Sequence, residues 1–144
     1  MPVWIRANHF DPLELIQQYQ IQLENKKKGQ YGATAIFIGT MRDFNEDRRV
    51  TAMTLEHYPG MTEVALEAIC EEAKQKWPVL EVLVVHRVGA IKPSDSIVLV
   101  AVWSAHRAEA YEANRYIMEA LKSKAPFWKK EATPNGDKWV SKNT

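Results

Sequence analysis

Seven consecutive apolar residues, Ile97 to Trp103, constrain this chain more than any other stretch. The run is far too short to span a bilayer. It follows a Lys92-Pro-Ser-Asp95 turn and reads as the most apolar strand of the protein, over residues 96–103. Such a strand needs a core around it, and 144 residues suffice for one domain, expected to span 1–144. Hydrophobic residues make up 46% and charged residues 26%, which excludes a disordered tail, a collagen-like rod and a disulfide scaffold. The lone cysteine, Cys70, leaves stability to burial, as in a reducing cytoplasm. No basic segment followed by a long apolar run opens the chain, so the expectation is a soluble intracellular protein without a signal peptide.

The remaining segments alternate in type. Asp11-Pro12-Leu13-Glu14 is a helix start, with an Asp cap, a Pro at the first position and an early Glu. Leu13, Ile16 and Leu23 follow at helical spacing, and Asn25 to Gly29 closes the helix. Residues 33–41 read as a largely buried strand, 43–49 as a charged loop, and 50–58 as the next strand of a hairpin. After Pro59-Gly60, residues 62–77 form an amphipathic helix burying Leu66, Ile69, Ala73 and Trp77. Residues 80–88 form a further strand. A long helix runs from about Ala105, capped by Ser104, to Lys124, where Ala125-Pro126 stops it. Short strands at 127–131 and 138–140 flank a Thr133-Pro-Asn-Gly-Asp137 turn. This order favours an α+β domain with mainly antiparallel pairing.

Net charge is only +1, so no global field advertises a nucleic acid or a membrane. The charge is uneven, however. Six lysines between Lys122 and Lys142 face only Glu131 and Asp137, a local +4 that leaves −3 on the rest. Either this is a solvated lysine surface or it belongs to an anion site.

Three constellations fit the second reading. His106 and Arg107 stand at the start of the long helix, where cations oppose the dipole unless an anion lies between them; pairing of Arg107 with Glu109 is the alternative. Lys122 sits in the last helical turn, and Lys129 follows the Pro126 corner between Phe127-Trp128 and Lys130. A lysine in a semi-apolar cleft near other cations has a lowered pKa and can move protons. Reversal at Pro126 would let Lys122 approach Lys129. Arg42, where a strand enters a loop, suits bidentate phosphate recognition, with a salt bridge to Asp43 or Glu46 as the alternative.

There is no Walker A loop and no Gly-x-Gly-x-x-Gly. His9, His57, His86 and His106 lack zinc spacing, so neither a metal nor a cofactor is expected. Cys70 reads as a buried hydrophobe rather than a nucleophile. Any sulfur chemistry would need sulfur from elsewhere.

The blocks Phe37-Ile-Gly-Thr-Met-Arg42, Leu55-Glu-His-Tyr-Pro-Gly-Met61, His86-Arg-Val-Gly89, Ser104-Ala-His-Arg107 and Ala125-Pro-Phe-Trp-Lys129 resemble the large, catalytic subunits of molybdopterin synthase. The match is collinear from about residue 30 to Val140. The resemblance implies an α/β-hammerhead fold with an additional antiparallel β subdomain, and a homodimer within a heterotetramer. The partner would be a small ubiquitin-like sulfur-carrier subunit whose C-terminal Gly-Gly thiocarboxylate threads into a pocket. The substrate would be cyclic pyranopterin monophosphate, converted to molybdopterin by two sulfur transfers. Carried onto matching positions, Lys122 and Lys129 become the catalytic lysines. Arg42, His106 and Arg107 become the phosphate pocket, and Thr40, Met41, Lys130 and Glu131 further substrate contacts. In this reading Lys122 meets the carrier's terminal carboxyl group, while Lys129 serves proton transfer at the pterin side chain. A non-catalytic module that binds RNA, or a carrier protein without chemistry, is the competing reading. Salt-sensitive RNA retention or absent turnover would distinguish it.

Overall fold

A computed structural model describes residues 3–45 and 48–140. The first strand, β1 (Val3–Arg6), leads into α1 (Pro12–Lys27), whose start is built as the sequence predicts. The Asp11 carboxylate accepts from the Leu13 and Glu14 amides at 3.0 and 3.3 Å, which satisfies two of the helix's unpartnered donors. Then come β2 (Ala33–Thr40), the short pair β3 (Phe44–Asn45) and β4 (Arg48–Arg49), β5 (Ala52–His57) and α2 (Met61–Lys76). The second half comprises β6 (Val79–Arg87), β7 (Gly89–Ile91), β8 (Ser96–Ser104), α3 (Arg107–Lys124), β9 (Phe127–Thr133) and β10 (Gly136–Val140).

The apolar run lies in β8, flanked by β6 and β2 in a four-stranded sheet of order β1-β6-β8-β2. Only β1 and β6 are parallel there. Strand alternation explains why β8 is apolar on both sides. Val98, Val100 and Val102 face α2 and α3, packing with Leu66, Ile69 and Ile117. Leu99, Ala101 and Trp103 face the other way, onto Ile16 and Leu23 of α1. The second sheet, β10-β9-β5-β7, is antiparallel and carries its own small core of Met53, Leu55 and Ile91, joined by Met41 and Val50. The α+β expectation, with an added antiparallel subdomain, holds.

Several local expectations are corrected. Residues 33–40 and 52–57 do not form a hairpin: β2 pairs with β8, and β5 with β7 and β9. The charged 43–49 segment separates them and folds on itself through β3 and β4. As an edge strand β2 is also not largely buried; Ile36 and Phe37 are 45% and 41% exposed. Leu13 is exposed as well, while Ile16 and Leu23 carry the α1 contact. Trp77 caps α2 and is half-buried against the core rather than inside it. Helix α3 begins two residues later than expected, with His106 at the cap position. Ser104 ends β8 instead, and its hydroxyl donates to the His106 carbonyl.

Candidate active site

The two sheets meet around a cavity of about 320 Å³, within the size range of small-molecule sites. It collects Arg42, Lys122 and Lys129 from three separate parts of the chain. Each is delivered by a specific local device.

Arg42 stands at the corner after β2. Strand register shifts between Gly39 and Thr40, and a Cβ on Gly39 would meet Val98 Cγ1 at 2.7 Å, so the close approach there needs glycine. Beyond this irregularity Met41 is clamped by the 92–95 turn. Its amide donates to the Asp95 carbonyl and its carbonyl accepts from the Ser94 amide, both at 2.9 Å. Ser94 holds φ +76° to make that second bond, a left-handed conformation unusual for a non-glycine residue. The Arg42 guanidinium lies 5.1 Å from the Phe44 ring centroid. Among the described residues Arg42 makes no salt bridge to Asp43, and Glu46 lies outside them.

Lys122 and Lys129 meet because the chain reverses at Pro126, and the Tyr58–Thr62 corner holds that reversal. The fully buried Thr62 hydroxyl donates to the Pro126 carbonyl at 3.1 Å and accepts from the Tyr58 amide at 3.0 Å. Gly60, at φ +84°, permits this corner at the start of α2. Burial, then the charges of Lys129 and Arg42, push the Lys122 ammonium below its ordinary pKa. Three cations therefore act on one another inside one hollow.

Alternation along β9 decides which residues follow Lys129 inward. Lys129 and Glu131 line the cavity together with Phe127, opposite Leu55 and Met53 of β5. Lys130 points to the other face, where it pairs with Asp137 at 3.9 Å and lies 5.6 Å from the Trp139 ring centroid. Thr40 and Met41 also line the cavity. A second hollow of about 390 Å³ opens beside the first. It shares Lys122, Phe127 and Lys129 with it and adds Trp128 and Trp139. The lysine pair forms the partition between two spaces.

His106 and Arg107 do not line either hollow. Both are exposed at the opposite end of α3. Fifteen residues of helix separate Arg107 from Lys122, about 22 Å at 1.5 Å per residue. Arg107 makes no ion pair with Glu109 among the described residues.

Two polar cavity residues escape the sequence reading. Asn45 belongs to the segment read only as a charged loop. His86 is weighed there as a metal ligand and appears in the His86–Gly89 block, but is given no role in the site. The His86 ring stacks on Phe127 at 4.0 Å between centroids and 17° between planes. Its Nδ1 lies 2.8 Å from the Arg87 carbonyl, an acceptor, so Nδ1 carries the proton and Nε2 is left as an acceptor. Burial, aided by the charges of Lys122 and His57, lowers its pKa to about 4. An unfolded histidine titrates near 6.5, so between those values the unfolded chain binds the extra proton. Stability is thus full above pH 6.5 and falls as the pH approaches 4, by about 3 kcal/mol from this group. His86→Gln should flatten that acid limb in urea titrations at pH 7 and 4.5. An unchanged slope would assign the loss to other groups.

Cys70 is buried within α2, and burial pushes its thiol up to about 12, so it is no nucleophile.

The family profile described as "MoaE protein" matches residues 5–124. The chain belongs to the MoaE protein family. It is 58% identical over 111 residues to a molybdopterin synthase catalytic subunit of Ralstonia nicotianae, covering 77% of this chain and 63% of that one. It is 53% identical over 114 residues to the Escherichia coli protein of the same name, covering 79% and 76%. The crystal structure of molybdopterin synthase from Staphylococcus aureus superposes with a TM-score of 0.85 at 33% identity, covering 98% of each chain. Among the described residues no helix is long and apolar enough to cross a membrane.

Proposed function

We propose that the chain is the sulfurtransferase subunit that converts cyclic pyranopterin monophosphate to molybdopterin, with sulfur from the thiocarboxylated C-terminus of a small ubiquitin-like carrier. The observation that carries this reading is the shared wall. Lys122 and Lys129 border two adjoining hollows at once, as a reaction between two anionic guests requires. The larger cluster of cations, with Arg42, favours the phosphorylated pterin in the first hollow. The second, walled by Trp128 and Trp139, suits a thin glycine-rich tail.

In that arrangement the carrier's sulfur is the nucleophile, so the inertness of Cys70 is no obstacle. The lysines stabilise the oxyanions that develop during acyl transfer and opening of the cyclic phosphate. The lowered pKa of Lys122 also prepares it to exchange a proton, which supports a proton-transfer role for Lys122 as well as for Lys129. Thr40, Met41 and Glu131 complete the substrate wall, while Lys130 supports β9 from its far face. His106 and Arg107 enter this reading through a second copy: within a homodimer, the helix start of one subunit would reach the cavity of the other. The protein would act in the cytoplasm as one domain over 1–144, in a heterotetramer.

Mixing the chain with thiocarboxylated carrier and cyclic pyranopterin monophosphate should yield the dithiolene product by mass spectrometry; none would refute the assignment. Arg42→Ala should raise the KM for the pterin by about 10- to 100-fold, the loss of one charge-assisted phosphate contact. Carrier affinity should stay unchanged. An unaltered KM would remove Arg42 from the phosphate site.

A further inference from the structure

The β3–β4 segment reaches back across the cavity to β9. Asn45 is 5% exposed, and its Nδ2 donates to both carboxylate oxygens of Glu131, at 3.2 and 3.1 Å. Glu131 is 4% exposed, so its oxygens depend on such donors. The Glu131 Oε2 that Asn45 holds at 3.1 Å also lies 4.0 Å from Lys129 Nζ. All three side chains line the same cavity.

The backbone of the segment is anchored separately. The Thr51 amide donates to the Ala132 carbonyl at 3.0 Å, and the Val50 amide to the Asp43 carbonyl at 2.7 Å. The segment therefore has its own tie to β9 on the strand side. An amide contacting both oxygens of a carboxylate adds something different: it sets the plane of that carboxylate. It also carries no charge, so it does so without cancelling the Glu131 field at Lys129.

We propose that Asn45 is a positioning residue, whose amide orients the Glu131 carboxylate and through it aims the Lys129 ammonium into the cavity. The role assigned to Lys129 rests on the sulfurtransferase reading above; the geometric coupling does not. Asn45 also sits three residues after Arg42, so one short segment places the phosphate-binding guanidinium and sets the lysine across from it. Among the described residues, the other charged groups bordering this cavity are Lys122 from α3 and Arg42 itself, while β5 presents Met53 and Leu55 and β6 the neutral His86.

Three variants of the intact chain test this in single-turnover assays with thiocarboxylated carrier and cyclic pyranopterin monophosphate. Asn45→Leu, of similar size but without a donor, should slow turnover about tenfold while the pterin concentration dependence stays within about threefold. Asn45→Asp sets a second carboxylate beside Glu131. More negative charge favours the protonated amine, so the Lys129 titration should move up. Lysine ε-carbon NMR reads this directly, with Lys129→Arg identifying the signal. The exchange Asn45→Asp/Glu131→Gln restores a donor–acceptor pair but moves the charge from β9 to β3. Its Tm should return toward the native value while turnover stays about tenfold low. Native turnover in the exchanged protein, or a Lys129 titration unmoved by Asn45→Asp, would reduce Asn45 to a tether and overturn the proposal. The NMR measurement needs no turnover, so a native chain that makes no dithiolene sinks the sulfurtransferase reading without obscuring this one.

Discussion

Lys129→Ala should lower dithiolene formation by roughly 10²–10³-fold, the range expected for losing a proton-transfer or oxyanion-stabilising group. The strand that carries Lys129 is held by its backbone. It pairs with β5 and β10, and the Lys129 side chain ends in a cavity. The variant should therefore fold and still bind the carrier. A second consequence separates lost chemistry from lost structure. The charge on Lys129 is one of the causes that depress Lys122, so removing it should bring the Lys122 titration back up. Lys122→Ala should be impaired to a similar degree, because that side chain borders both hollows. Full activity in Lys129→Ala, with carrier and pterin both bound, would strike Lys129 from the mechanism.

Trp103→Ala should cost about 3–5 kcal/mol, which approaches the whole stability of many domains of this size. Trp103 is fully buried at the end of the apolar run, on the α1 side of the sheet, where Tyr19 stacks on it at 5.4 Å. Few neighbours can collapse into the space: β6 and β2 flank the strand through continuous backbone pairing. Trp103→Phe should cost far less. It keeps a ring against Tyr19 and discards an indole N–H that meets no acceptor among the described residues. Urea denaturation at pH 7 would measure both. An alanine variant within about 1 kcal/mol of native would mean the sheet repacks in a way the observed backbone pairing does not suggest.

The contrast between these residues shows what was legible beforehand. Asp11-Pro12, the Lys92–Asp95 turn, the Pro126 stop and the Thr133–Asp137 hairpin are all readable. Each acts through a fixed φ, a missing donor or a side chain bonding its own backbone, within four residues. The apolar run could be read as a core strand for a similar reason, since no arrangement exposes it cheaply. Arg42, Lys122 and Lys129 were identifiable as cations at the ends of elements, and family motifs singled them out.

Partnership was not legible. A strand with apolar residues on both faces looks the same in the centre of a sheet and at its edge, so β2 was expected to be buried and to pair with the next strand. The sequence reading already sets His106 and Arg107 at one end of the long helix and Lys122 at the other, but only the structure shows that the cavity lies at the Lys122 end and that Lys130 falls on the outer face of β9. Asn45 gives no local sign of holding Glu131, 86 residues away. The sequence alone determined the three helices, the long strands and which charged groups they carry, because those effects are settled between near neighbours. Only the tertiary structure decided which groups share a cavity, because strand pairing and helix direction fix distances between residues that no local energy connects.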